Sequence, residues 1–248
     1  MGTSVWRLTD RRLSRPALRH PRLWSAIAVA TLIASLGVYV SLSSAFHLRH
    51  LEVEGNSHLT RRTVLELSGL TRRTNLLWLD AGSVERRLEA DPWVAGATVS
   101  KEFPRTVRIQ VTERTPVATV AGYGGYQLIA ADGTSLGVVS SRPHLPLIVV
   151  PPTRAIHGRA PDPGASARAV AGLDPKLRAR VQSVVVEMDG CLVLHLTNGV
   201  RVEYGAPSQT VAKSRVIASV LRWASAHARS VLTVNVSAPG APAASFAP

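Results

Sequence analysis

The sequence predicts an α+β protein held by a single transmembrane helix, followed by two small modules in which helices pack on β-sheets. Three observations carry this. Residues 23–46 contain no charged side chain. Residues 47–113 pattern in the order strand, helix, helix, strand, strand, and residues 181–237 read as a three-strand meander, a helix and a closing strand.

The uncharged run is "LWSAIAVATLIASLGVYVSLSSAF". At about 1.5 Å per residue it is long enough to cross a hydrocarbon layer of about 30 Å, with Trp24 and Tyr39 suited to the interfaces. Residues 1–22 form a short basic tail with six arginines and one aspartate. The positive-inside rule places that tail in the cytoplasm and everything beyond residue 46 outside, a single-pass type II arrangement in the cell membrane. A cleaved signal peptide is the competing reading, with Ser43 and Ala45 as small residues and a twin Arg11–Arg12. Signal peptides, however, use apolar cores of about 7–15 residues, and the twin arginines stand well away from this run. An uncleaved anchor is expected.

Lys and Arg exceed Asp and Glu by 13 over 248 residues. Setting aside the charges of the N-terminal tail leaves 23 basic and 15 acidic side chains, net +8. Across a membrane such a surface does not meet nucleic acid. It suits lipid head groups, anionic wall polymers or an acidic partner, or is simply solvated. The single cysteine, Cys191, excludes an internal disulfide and a cysteine zinc site. Its strand-like flanks read as a buried small apolar residue. No HExxH, P-loop or GxSxG pattern is present, and the eight histidines are scattered. His47 and His50 sit where a strand begins and are expected to face opposite sides, and His195 to be an exposed strand position. The expectation is a non-enzyme with no catalytic residue, metal, cofactor or small-molecule substrate.

The first module spans residues 47–115. "HLRHLEVEG" alternates Leu48, Leu51 and Val53 with polar residues and stops at Gly55-Asn56. Thr60 caps a helix that carries Val64 and Leu67 and ends at Gly69. Residues 80–93 repeat that logic with Val84 and Leu88, ending at Asp91-Pro92. Strands at 94–103 and 106–113 follow, joined by Pro104-Arg105, with Val107, Ile109 and Val111 inward and Arg108, Gln110 and Thr112 outward. Two helices over one face of a three-stranded sheet satisfy this order.

The second module spans residues 116–237. A hairpin turns at Asp132-Gly133, and "LPLIVV" is a short buried strand. Residues 151–166 are rich in Pro and Gly and read as a loop, and a brief helix lies near 166–180. Asp189-Gly190 and Asn198-Gly199 turn the meander. A helix over 207–228 starts at Pro207, with Val211, Val216, Val220, Leu221 and Trp223 as its apolar surface. Lys213 reads as a solvated helix residue, with a capping contact as the alternative. The last strand, Val231, Leu232, Thr233, Val234, Asn235, Val236 and Ser237, puts Leu232, Val234 and Val236 on one face. It carries no Lys, Pro or inward charge to guard an exposed edge. Residues 238–248 are Ala, Pro, Gly and Ser with one Phe, and read as a disordered tail.

In order, "VEGN", "NLLWLD", "DPWV" and "PRTVRIQVTERTPVA" resemble the bacterial FtsQ/DivIB cell-division family. So does "VRVEYG" separated by seven residues from Lys213. The resemblance implies a POTRA domain at 47–115, continuous with the family's mixed β-domain at 116–237, which carries a packed helix and a C-terminal edge strand. It further implies a divisome scaffold at the septum that binds FtsB-like and FtsL-like division proteins. Val231–Ser237 are then the edge that receives a partner strand by β-augmentation, and Ala238–Pro242 flank it; a strand whose free side is covered by the Pro/Ala tail is the alternative. Phe246 is the only aromatic near the place where family members often carry one. Other POTRA-bearing envelope chaperones and a basic wall-polymer-binding module are the alternatives.

Overall fold

The computed structural model describes residues 21–41, 43–150 and 162–247. Most of the basic tail (1–20) and the first part of the Pro/Gly-rich loop (151–161) lie outside the described residues. Helix α1 (Pro21–Ser41) is the one described helix long and apolar enough to span a membrane, and from Trp24 to Val40 it is exposed along its length. Its hydroxyls bond within the helix: Thr31 Oγ1 donates to Ile27 O (2.8 Å), Ser35 Oγ to Leu32 O (2.9 Å) and Ser41 Oγ to Val38 O (2.8 Å). No polar side-chain atom of these residues then asks for water in an apolar layer. The helix ends before the uncharged run does. Ser43 accepts a bond from Ala45 N (3.2 Å) and starts a separate 3₁₀ turn, Ser44–Phe46.

The first module has the expected order: β1 (His50–Glu54), α2 (Arg61–Ser68), α3 (Ala81–Glu89), β2 (Val94–Glu102) and β3 (Thr106–Glu113). The sheet order is β1-β3-β2, with β1 parallel and β2 antiparallel to β3. Thr60 Oγ1 caps α2 through Thr63 N (3.1 Å), and Gly69, in the left-handed region, ends it. Val64, Leu76, Val84, Leu88, Val107 and Ile109 form a core with no exposed surface. On the other face Arg108 bridges Glu52 (2.9 Å) and Glu102 (3.2 Å). Gly55 has φ +79°, and a Cβ there would lie 2.1 Å from Val111 O, so the turn after β1 admits only glycine.

The second module is one nine-stranded sheet in the order β12-β11-β10-β9-β8-β7-β4-β5-β6. Its members are β4 (Pro116–Gly122), β5 (Gly125–Ala130), β6 (Ser135–Val139), β7 (Leu147–Val149), β8 (Val181–Val186), β9 (Leu192–Leu196), β10 (Arg201–Gly205), β11 (Val231–Asn235) and β12 (Ala243–Phe246). Helices α4 (Pro163–Ala171), α5 (Pro175–Arg178) and α6 (Thr210–Ala226) accompany it. The two modules are continuous in chain but not in sheet, because Arg114 and Thr115 separate β3 from β4 and the two ladders share no strand.

Several local expectations change. The β4–β5 hairpin, turned at Tyr123-Gly124, is additional. The helix near 166–180 is two helices, and α4 starts earlier than expected because Asp162 accepts from Gly164 N (2.8 Å) ahead of Pro163. Helix α6 starts at Thr210 rather than Pro207, and Val211 and Trp223 on it are exposed. Cys191 lies half-buried at the β8–β9 turn, where Asp189 accepts its backbone N–H (2.8 Å); the neighbouring carboxylate and partial burial push its thiol up.

Candidate docking edge

Strand β11 reaches its place by a crossover. From β10 the chain climbs through α6 and returns parallel to β10, with Val202 opposite Val234. A side chain expected at the surface secures that crossover. Lys213 is 1% exposed, and its ammonium donates to the carbonyls of Tyr204 (2.8 Å) and Ala206 (2.7 Å) while lying 4.6 Å from the Tyr204 ring. The chain turns at Gly205 (φ +68°), which aims both carbonyls at one ammonium. Burial lowers the Lys213 pKa. Lys213 therefore ties α6 to the end of β10 and is not a solvated residue.

The expected period-2 face of the last segment is broken. A register shift between Val231 and Thr233 turns Leu232 outward, 52% exposed, while Val231 packs against the core. Val234 and Val236 are fully buried as expected. Asn235 ends the strand: its Nδ2 donates to Glu203 Oε2 (2.7 Å), and its Oδ1 accepts from Ser237 N (3.0 Å) and Ser237 Oγ (2.7 Å).

The residues beyond Ser237 are structured up to Ala247, which corrects the expectation of a disordered tail. After a turn closed by Ala241 N on Ala238 O (3.0 Å), Ala243–Phe246 return antiparallel along β11 as β12. Phe246 holds that strand. Its ring lies 5.6 Å from Trp223 of α6 and Arg229 lies over it at 5.6 Å, while Trp223 stacks on His227 at 4.4 Å. Ala247 N donates to Ser230 O (2.8 Å). The edge of the sheet is thus β12, with β11 one strand inside it. The segment 243–246 has no charge and no proline, and its side chains are exposed apart from the partly buried Phe246. On the adjoining helix Arg215 and Arg222, and beyond it Arg229, are exposed. The opposite edge, β6, carries Gly137 at φ +120° and packs Leu136 and Val139 with Trp93, so a bend and a neighbouring module guard it.

No group of three metal-donor side chains occurs among the described residues. His47 and His50, expected to face apart, line one cleft beside Arg49 and Arg72.

Residues 46–114 match the family model described as POTRA domain, FtsQ-type. Residues 118–229 match that described as Cell division protein FtsQ/DivIB, C-terminal, which stops short of β11 and β12. The chain is similar to Cell division protein FtsQ of Streptomyces bingchenggensis, 30% identical over 240 residues, covering 93% of this chain and 89% of that one. It is 26% identical over 196 residues to Cell division protein FtsQ of Mycobacteroides abscessus, covering 79% of this chain and 62% of the relative. With the Bradyrhizobium diazoefficiens protein of the same name it shares 37% over 108 residues, 44% of this chain and 32% of that protein.

Proposed function

Because the chain belongs to the FtsQ/DivIB family of cell-division proteins, we propose that it is a non-enzymatic, single-pass type II scaffold of the division septum. In this reading it binds FtsB-like and FtsL-like partners by strand addition and so helps control septal peptidoglycan synthesis. The observation that carries the reading is the unguarded edge of β12 on a nine-stranded sheet whose other edge is bent and covered. Val231–Ser237 begin the ladder, β12 occupies it, and the partner strand extends it. Main-chain hydrogen bonds supply the affinity, and Arg215, Arg222 and Arg229 favour an acidic flank on the partner.

The test is affinity between the full-length chain in nanodiscs and the outer segment of the same organism's FtsB-like protein. Ala244→Pro removes a backbone donor from β12, and Val138→Pro does the same at β6. Circular dichroism checks that both fold. The expected outcome is at least about tenfold weaker binding for Ala244→Pro, which is about 1.4 kcal/mol, and unchanged binding for Val138→Pro. Equal binding by wild type and folded Ala244→Pro would remove the edge from the mechanism. Tighter binding after deletion of residues 243–247 would move the docking strand inward to β11.

A further inference from the structure

The end of the first module that adjoins α1 gathers three segments. The parallel register His50 opposite Thr106, and the antiparallel pair Glu102 opposite Thr106, put the start of β1, the start of β3 and the end of β2 together. The α2–α3 loop joins them: Leu48 N donates to Thr74 O (2.9 Å), Leu76 N to Phe46 O (2.9 Å) and Lys101 Nζ to Leu79 O (3.2 Å). Asn75 Nδ2 donates to Ser41 O (2.7 Å), the last residue of α1. This end of the module therefore lies directly where the span leaves the membrane.

Its composition is unusual for a surface facing only water. Trp78 is 70% exposed and Phe103 55%, with Leu77 beside them. Around them Arg49, Arg72 and Arg73 are exposed and have no carboxylate within ion-pair distance among the described residues. The acids near them are taken: Glu102 by Arg108 (3.2 Å) and Asp80 by Arg86 (3.6 Å). Ser44, His47, Arg49, His50 and Arg72 line a cleft of about 570 Å³. Aromatic rings at headgroup depth with unpaired arginines among them are the chemistry of an interfacial contact with anionic lipid.

We propose that this end of the module is an anionic phospholipid-binding face. Trp78 and Phe103 enter the interface, and Arg49, Arg72 and Arg73 hold phosphate head groups of the leaflet on the module's own side. The contact fixes the tilt of the module on its anchor. It requires α1 to span the membrane and stands apart from the docking edge.

The test is hydrogen exchange of the full-length chain in nanodiscs of phosphatidylcholine alone or mixed with phosphatidylglycerol. The expected result is severalfold slower exchange at residues 71–79 and 102–106 in the mixed bilayer. That protection is reversed by salt, lost in Arg72→Glu/Arg73→Glu and kept in Arg72→Lys/Arg73→Lys, with α6 unchanged throughout as a check on folding. Equal exchange in the two bilayers overturns the proposal. So does equal protection by soluble polyglycerol phosphate in phosphatidylcholine discs, which would make the face a reader of wall polymer.

Discussion

Glu113 shows how much one carboxylate organises. Its two oxygens accept from Ser57 N (3.0 Å), Ser57 Oγ (2.8 Å), His58 N (2.7 Å) and Leu59 N (2.8 Å), tying the loop ahead of α2 to the end of β3. Partial burial works to raise its pKa, but the four hydrogen bonds to the ionised form prevail and lower it. Glu113→Ala returns the exposed Ser57 and His58 N–H groups to water and leaves only the Leu59 N–H without its partner in a partly buried place, so a loss of about 1 kcal/mol is expected by denaturant melts. Asp132, bonded by Arg114 and by Thr134 N, is held down at about 2. Both carboxyls stabilise the fold while ionised, so their contribution is complete above the unfolded values of about 4. It is lost as pH falls through the folded ones, toward about 2 for Asp132. Asp132→Asn should flatten the acid limb of a stability profile between those values. Lys213→Ala removes a buried stem and leaves two carbonyls without their donor; a loss of about 2–4 kcal/mol is expected.

At the scale of elements, β12 is the most dependent on a distant contact. Ala, Ala and Ser have little reason to be a strand, and Phe246 on Trp223 supplies one. Phe246→Ala should release β12, so that amides at 243–247 exchange freely while those of β3 stay protected; unchanged protection would assign the strand to backbone pairing alone. The same dependence explains what was legible. The helices of the first module and the strands turned at Asp132-Gly133, Asp189-Gly190 and Asn198-Gly199 are written in local periodicity and turn residues, and could be read directly. The β12 pairing, the outward turn of Leu232 and the burial of Lys213 depend on partners that only the folded chain brings near. For Lys213 these are carbonyls aimed by the Gly205 turn; the helix's own apolar pattern does not mark it, and only the spacing of "VRVEYG" and Lys213 links the two in sequence. The sequence places the edge at Val231–Ser237, whereas the outermost strand of the sheet is β12, Ala243–Phe246, in a stretch whose composition reads as tail.

At the scale of the molecule, the two sheets are joined by a small, specific contact. Arg114 lies between β3 and β4; its Nε donates to Asp132 (2.6 Å) in the second module and its Nη1 to Pro92 O (3.0 Å) in the first. Trp93 packs against the cores of both modules and stacks on His58 at 3.5 Å. Arg114→Ala should split thermal unfolding into two transitions in calorimetry, with little change in either module's own melting; a single sharp transition would show that Trp93 suffices. This joint sits at the β5–β6 flank of the large sheet, while β12 lies at the other flank, eight strand spacings from β6. Measured along the sheet that is about 38 Å at about 4.8 Å per strand. That distance along the sheet equals the length of about 25 helical residues at about 1.5 Å each. On the docking proposed above, the width of the sheet sets how far a partner's docking segment must reach from the first module.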